Sequence, residues 1–281
     1  MKKILVPCDF SPPATEAYTV ALNIAGRSQG EIVLLHVVTL PTFYAAGFAG
    51  EPAIYDTAYY SRMETDISRE LAKLKTKGEQ HHVSVTTDVQ VGGLVSCITK
   101  TVKEENIDLI MMGTSGSSGI AEILIGSNVE KVVRFSPVPV LSVRTAFDST
   151  SIQNILLPST LGLNQHDFMR ELKKLQQFFN ATIHVLLVNT PVHFRQNRDA
   201  NQTLTEFAHH YQLTNYKLHF KSFYQEEEGI MTFAHTEKMD LISMPTHARK
   251  GFAHLFNSSV TENIVNHIES PIWTYCLKKL E

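Results

Sequence analysis

Asp108-Leu109-Ile110-Met111-Met112 leads directly into Gly113-Thr114-Ser115-Gly116, and Gly126-Ser127 follows after nine intervening residues. Residues 108–112 form a short apolar run between a charge and a glycine, which predicts a strand buried on both faces of a parallel sheet. Ser127-Asn128-Val129-Glu130 has the spacing of a capping box, so we expect a helix to begin at Ser127. The stretch therefore predicts a strand, a glycine-rich loop and a helix in succession.

The glycine-rich loop is a candidate anion site. Glycines let backbone N–H groups approach a ligand closely, and a helix N-terminus carries a partial positive charge. Phosphate contacts are therefore expected from residues of the loop and of the helix start: Met112, Gly113, Ser115, Gly116, Gly126, Ser127 and Asn128. The alternative is a loop that only turns the chain. No Gly-Lys-Ser/Thr is present, so this is not a Walker loop, and the spacing also differs from Gly-x-Gly-x-x-Gly.

Around this loop, strand and helix patterns alternate. Apolar runs predict strands at residues 3–7, 31–38, 83–91 and 138–143, with helical periodicity between them. Ser11 can cap the first helix, with Pro12 at its first position. The alternation predicts a doubly wound, mainly parallel, five-stranded α/β sheet with ligands at the carboxyl ends of its strands. Residues 41–52 interrupt the pattern as an insertion loop, which is either a lid or a plain surface excursion.

Asp9 falls at the carboxyl end of the first predicted strand. Its carboxylate can hydrogen-bond the hydroxyls of a ribose or hold a metal such as Mg²⁺ near phosphates. The other interpretation is structural, because an aspartate at this position can also cap the turn before Ser11-Pro12.

These motifs resemble the universal stress protein family. Gly113-x-x-Gly116, nine residues, Gly126-Ser127 is similar to the loop of the members that bind ATP, and Ile4-Leu5-Val6-Pro7-Cys8-Asp9-Phe10-Ser11 looks like their opening strand. The resemblance implies that Pro7 and Asp9 lie at the nucleoside, that the backbone of Val37 meets adenine, and that the ligand is ATP, ADP or AMP. Ser115 stands where many members have a histidine, but its hydroxyl can still meet phosphate.

The chain then repeats itself. Residues 153–158 echo residues 2–7, and residues 180–188 echo the second strand. Residues 240–248 and 258–262 align without gaps on residues 108–116 and 126–130, at a constant offset of 132. The repeat predicts two five-stranded Rossmann-like sheets in tandem, with domains at residues 1–146 and 151–281. The resemblance to a tandem universal stress protein thus covers almost the whole chain.

The second copy lacks the residues expected to bind nucleotide. Other side chains replace three loop glycines and the aspartate: Pro245, Ala248 and Ser258 for Gly113, Gly116 and Gly126, and Thr160 for Asp9. A non-glycine residue costs about 1–2 kcal/mol where the backbone is left-handed, and proline removes an N–H donor. We therefore expect one nucleotide per chain, in the first half. The alternative is a different anion site built from Ser258, Ser259 and His247.

Composition excludes several classes of function. A net charge of -3 without a basic cluster argues against nucleic acid, and no apolar run reaches the roughly 18 residues of a membrane span. The apolar run at the N-terminus is broken too soon for a signal peptide, so a cytoplasmic protein is expected.

Cys8, Cys97 and Cys276 are expected to be reduced thiols in or near the core. Ten of the thirteen histidines lie in the second half, where scattered residues are favoured over a zinc site.

The function predicted from these features is that of an adenine-nucleotide-binding stress sensor or regulator with an unidentified protein partner. No general base, arginine finger or carboxylate pair accompanies the loop, so no catalytic residue is assigned. Two alternatives stay open: a slow ATP-hydrolysing or nucleotidyl-transfer enzyme, and a nucleotide-free interaction module.

The last strands of the two copies, at residues 138–143 and 272–276, are equivalent. Universal stress proteins often pair through this strand, so the resemblance implies that the two halves form an internal pseudo-dimer. It also leaves a homodimer of the whole chain open. An unpaired strand edge would otherwise invite aggregation.

Overall fold

A computed structural model describes residues 1–39, 57–114, 127–247 and 270–277. Strands and helices alternate through the first half: β1 (Lys3–Pro7), α1 (Pro12–Ser28), β2 (Glu31–Val38), α2 (Thr57–Gln80), β3 (Ser84–Val91), α3 (Leu94–Glu104), β4 (Leu109–Gly113), α4 (Ser127–Phe135) and β5 (Val140–Val143). The second half repeats this order: β6 (Asn154–Pro158), α5 (His166–Phe179), β7 (Thr182–Asn189), α6 (Asn197–His210), β8 (Tyr216–Ser222), α7 (Glu226–Thr236), β9 (Leu241–His247) and β10 (Ile272–Leu277).

All described strands belong to one sheet, in the order β3-β2-β1-β4-β5-β10-β9-β6-β7-β8. Strands within each half are parallel, which confirms the α/β class and the two mainly parallel five-stranded arrays; in the structure these arrays are the two halves of one ten-stranded sheet. The two sheets join where β5 and β10 pair antiparallel, with Trp273 opposite Leu141 and Ile272 opposite Ser142. The last strands of the two copies therefore pair with each other.

Helices cover both faces of this sheet. On β1, Ile4 and Val6 pack into a core cluster that includes buried residues of α1, α2, α5 and α6. Leu5, which points to the opposite face, packs into a second cluster with buried residues of α3, α4 and α7. Because the side chains of β1 from Ile4 onward are buried on both faces, this part of the strand is continuously apolar instead of alternating.

The first helix begins where the sequence predicts. Ser11 is its N-cap, and the Ser11 side chain accepts a hydrogen bond of 3.4 Å from the backbone N–H of Ala14. Pro12 occupies the first helical position, where its missing N–H would be unpaired in any residue. The buried face of α1 carries several alanines, which let the helix lie close to the sheet.

The aspartate that precedes β4 and the equivalent aspartate that precedes β9 accept the same backbone hydrogen bonds in the two halves. Asp108 Oδ2 accepts hydrogen bonds from the backbone N–H groups of Lys2 (2.7 Å) and Lys3 (3.1 Å). Asp240 Oδ2 accepts the equivalent bonds from Gln153 (2.9 Å) and Asn154 (2.8 Å). The internal repeat seen in the sequence is therefore a repeat of hydrogen bonding as well as of element order.

Several sequence expectations fall outside the described residues. These are the insertion at 41–52, the loop residues Ser115, Gly116 and Gly126, and the second-copy residues Ala248, Ser258 and Ser259. Within the part of the chain that the structure describes, no helix is both long enough and apolar enough to cross a membrane.

Candidate functional site

The first half has a topological switch point between β1 and β4. These two strands are neighbours, but β1 connects through α1 to β2 on one side, whereas β4 leads to β5 on the other. Chains that leave adjacent parallel strands in opposite directions open a crevice at the carboxyl ends, which is where open α/β sheets bind ligands. Asp9 follows β1 and Gly113 ends β4, so both lie at this edge.

Asp9 is exposed and holds the turn that follows β1. Its Oδ1 accepts hydrogen bonds from the backbone N–H of Ser11 (3.0 Å) and from the Ser11 hydroxyl (2.5 Å). The turn-capping role considered from the sequence is therefore real. The second oxygen, Oδ2, has no hydrogen-bond partner among the described residues, so the same carboxylate can also accept from a ligand.

The residues on either side of Asp9 contact one histidine that the sequence analysis did not single out. The Nδ1 N–H of His36 donates to the Cys8 carbonyl at 2.8 Å. The Phe10 ring stacks on the imidazole, with 4.8 Å between ring centroids and 17° between planes. Phe10 has a left-handed backbone, with φ of 64°. The only sequence signal was a polar residue inside an apolar strand.

Gly113 has a packing role that its sequence context did not reveal. A Cβ at Gly113 would lie 2.1 Å from the Pro13 carbonyl oxygen, so only glycine lets the end of β4 approach the first turn of α1. Its backbone is not left-handed, because Gly92 is the one glycine with positive φ among the described residues. A left-handed backbone therefore does not explain this glycine, whereas close approach does.

Three other candidates lie at the same edge. Pro7 and Met112 are buried at the ends of β1 and β4, and Met112 packs into the core cluster of α3 and α4. Val37 is half-buried near the end of β2, against the same cluster. Each of these residues therefore lies at the edge of the sheet where a ligand is expected.

The helix expected after the glycine loop is present. α4 begins at Ser127, as the sequence predicts, and Asn128 in its first turn is exposed. Val129, Val132 and Val133 are buried and fix the helix against the sheet. Residues 115–126, which connect β4 to this helix, lie outside the described residues.

The loop after β6 keeps the backbone conformation of the loop after β1 but lacks its aspartate. After β6, Leu161 has a φ of 66°, close to that of Phe10, and Ser159 donates its N–H to the Leu186 carbonyl as Cys8 does to Leu35. Thr160 takes the place of Asp9, and Leu161 is buried. The left-handed residue is held locally, because its N–H donates to Ser159 Oγ at 2.9 Å.

The strand and helix beside this loop also differ. β9 continues through Pro245 to His247, where β4 ends at Gly113. α5 begins at His166, although the residue that matches the start of α1 at Pro12 is Leu163. The second half therefore lacks the helical turn that matches the one lying against Gly113 in the first half.

A histidine pair lies inside the second half. His184 Nδ1 and His219 Nε2 are 3.1 Å apart, and His184 Nε2 is 3.2 Å from Asn154 Oδ1. Burial, with His219 and Lys217 nearby, lowers the pKa of His184 to about 4. The described residues contain no group of three or more side chains that could hold a metal ion.

The three cysteines form no disulfide with one another, as the sequence predicts. Cys8, Cys97 and Cys276 are all buried. Burial raises the pKa of the Cys8 thiol, so this residue favours the unreactive protonated form.

Comparisons with known proteins point to one family. The model of the universal stress protein family matches residues 1–144 and again residues 152–275. A universal stress protein of Methanocaldococcus jannaschii is 33% identical over 144 residues, which cover 51% of this chain and 82% of that protein. A putative universal stress protein of Staphylococcus aureus is 30% identical over 146 residues and is covered to 84%.

Solved structures agree on the fold of the whole chain. A universal stress protein from Archaeoglobus fulgidus superposes with a TM-score of 0.74 at 18% identity, over 97% of both chains. A putative universal stress protein from Pseudomonas aeruginosa superposes with a TM-score of 0.62 at 18% identity, over 98% of this chain and 93% of that one. At this identity the likeness concerns the arrangement of strands and helices alone.

Proposed function

The chain belongs to the universal stress protein family, with two domains of that family in tandem, and from this premise we propose that it binds one adenine nucleotide in its first half. The two domains are assigned to residues 1–146 and 151–281. The ligand is ATP, ADP or AMP, and the chain acts as a stress sensor or regulator.

One observation carries this proposal. Asp9 lies at the switch point between β1 and β4, with one carboxylate oxygen engaged by Ser11 and the other without a partner among the described residues. A carboxylate that is fixed by its own turn and open on one side suits a ribose hydroxyl, which donates hydrogen bonds. It suits Mg²⁺ equally, because hard cations prefer carboxylate oxygen.

The remaining contacts are assigned by position. The backbones of Pro7 and Val37 border the nucleoside. Phosphates are assigned to the loop after β4 and to the start of α4, through Met112, Gly113, Ser115, Gly116, Gly126, Ser127 and Asn128. Backbone N–H groups at a helix start favour a bound anion, so α4 supports this orientation of the nucleotide.

The second half serves packing and regulation in this proposal. Thr160 and Pro245 supply neither the carboxylate nor the glycine of the first half. The antiparallel pairing of β5 with β10 supports an internal pseudo-dimer of the two halves. A homodimer of the whole chain, an unidentified regulatory protein partner and a cytoplasmic location complete the proposal.

Mass spectrometry tests the proposal directly. The full chain is purified and denatured, and the released small molecules are identified. Isothermal titration calorimetry with ATP, ADP and AMP, with and without Mg²⁺, then measures the affinity for each nucleotide. We expect saturable binding of one adenine nucleotide per chain. No released nucleotide and no heat of binding would favour a nucleotide-free interaction module.

The same preparation separates binding from catalysis. No described residue offers a general base paired with a second carboxylate at the crevice, so no catalytic role is assigned. Steady release of phosphate or pyrophosphate above the background of an Asp9→Ala variant would identify the chain as an ATP-hydrolysing or nucleotidyl-transfer enzyme.

A further inference from the structure

We infer that His36 is a positioning residue of the nucleotide site, which acts by holding Asp9 in place. The inference rests on the proposed function, because it assigns to His36 a role in that same site. His36 lies on β2, beside β1, and none of the ligand contacts proposed above uses it.

Both neighbours of Asp9 are attached to the same imidazole. His36 Nδ1 donates to the Cys8 carbonyl at 2.8 Å, which fixes the peptide plane between Cys8 and Asp9. The Phe10 ring stacks on the imidazole at 4.8 Å, which fixes the residue that follows Asp9. The main chain of Asp9 is therefore held from both sides by one side chain.

The backbone of this loop is strained, so the contacts of His36 add support at the position of Asp9. Phe10 has φ of 64°, a left-handed conformation that residues with a Cβ adopt only when their surroundings compensate. The stacked ring and the bond to Cys8 supply that compensation. With fewer contacts, the main chain and side chain of Asp9 would be less restricted, and binding would have to order them.

The second half provides an internal control within the same chain. Leu161 has the same left-handed backbone as Phe10, but Leu187 stands at the position that matches His36 and cannot donate a hydrogen bond. Ser159 Oγ holds that loop locally by accepting from the Leu161 N–H at 2.9 Å. The loop conformation alone thus needs no histidine. The histidine occurs in the half that has the aspartate.

Calorimetry of the full chain with ATP tests the inference. His36→Leu removes the hydrogen bond and the stack, so we expect affinity to fall about tenfold. His36→Asn keeps a donor near the position of Nδ1, and Phe10→Leu keeps His36 itself, so each should weaken binding by only about threefold. His81→Leu, an exposed histidine after α2, is the matched control and should bind like the wild type.

A double-mutant cycle separates positioning from general destabilisation. Asp9→Asn keeps the oxygen that Ser11 engages but removes the charge. If His36 acts through Asp9, His36→Leu should weaken binding less than about twofold in the Asp9→Asn background. Should His36→Leu fail to fold, Phe10→Leu carries the same cycle, because Leu161 already tolerates this backbone.

The outcomes are distinguishable. Suppose that the wild type binds ATP. If His36→Leu then has unchanged affinity, or loses the same factor of affinity in both Asp9 backgrounds, the positioning role is overturned and the proposed function stands. A wild-type chain that binds no ATP, ADP or AMP overturns the proposed function, and the role of His36 falls with it.

Discussion

Gly113, at the end of β4, lies against the backbone of Pro13 in the first turn of α1, where a Cβ would come within 2.1 Å of the Pro13 carbonyl oxygen. This contact brings the start of α1 beside the crevice that also contains Asp9. In the second half a proline takes the place of Gly113, and α5 begins later in the repeat than α1 does. The half that lacks the glycine at this position therefore also lacks the helical turn that would lie against it.

Gly113→Ala should destabilise the fold. The added methyl group must displace the backbone of α1, so we expect the free energy of unfolding to fall by about 2–3 kcal/mol. Gly26→Ala is the control, because the nearest atom is a Val83 methyl at 3.8 Å and alanine favours a helix by up to about 1 kcal/mol. Urea denaturation followed by circular dichroism measures both changes. Equal stabilities of the two variants would contradict the contact.

Asp9 is predicted to contribute charge as well as structure. Asp9→Asn retains the acceptor for Ser11 but loses the charge, and Asp9→Ala loses both, so ATP affinity should fall about tenfold in the first and further in the second. Thr160→Ala, the matching change in the second half, should leave affinity unchanged. Full affinity in Asp9→Ala, with the circular dichroism spectrum intact, would remove Asp9 from the site.

Acid should weaken the second half through His184, the buried member of its histidine pair. His184 stays neutral in the folded chain down to a pKa of about 4, whereas in the unfolded chain it takes up a proton near its ordinary pKa of 6.5. Its contribution to stability is complete above about pH 6.5 and is lost as the pH falls towards 4, by about 1–3 kcal/mol.

His184→Val isolates this effect, because the first half has Val33 at the matching position. Unfolding by urea at several pH values between 7 and 4 gives the stability of both proteins. The loss of stability over this range should be smaller in the variant. A parallel decline in the two proteins would exclude His184 as its source.

The junction of the two sheets should contribute strongly to stability. Trp273, the single tryptophan of the chain, lies on β10 opposite Leu141, is buried, and packs on Phe168 at 5.6 Å between ring centroids. Trp273→Ala should cost about 3–5 kcal/mol. The exposed Phe194→Ala is the control and should stay within about 0.5 kcal/mol of the wild type. A small loss for both would mean that this junction carries little of the fold's stability.

Much of the fold could be predicted because the central strands are covered on both faces. The apolar runs at residues 3–7 and 31–38 have the same bounds as β1 and β2. β5 was expected from residue 138 but begins at Val140, because Pro139 has no N–H for the ladder and contributes only its carbonyl, which accepts from Ile110. The start of β5 is thus set by the missing N–H of a proline, a feature of the residue itself.

The site was less accessible to sequence reasoning, because its determinants are contacts between distant segments. His36 looked like one polar residue in a buried strand, and its bond to Cys8 spans 28 positions. Gly113 looked like a residue chosen for a ligand alone, but its contact with Pro13 depends on how α1 crosses the sheet. Neither the His36–Cys8 hydrogen bond nor the Gly113–Pro13 contact produces a periodicity or a motif spacing that can be recognised in the sequence.

Native mass spectrometry of the full chain with ATP tests the central claim most directly, because it counts bound nucleotides. We expect one nucleotide per chain in the wild type and in Thr160→Ala, and sharply reduced occupancy in Asp9→Ala at the same ATP concentration. Two nucleotides per chain, or a single nucleotide that Asp9→Ala retains in full, would contradict a site confined to the first half.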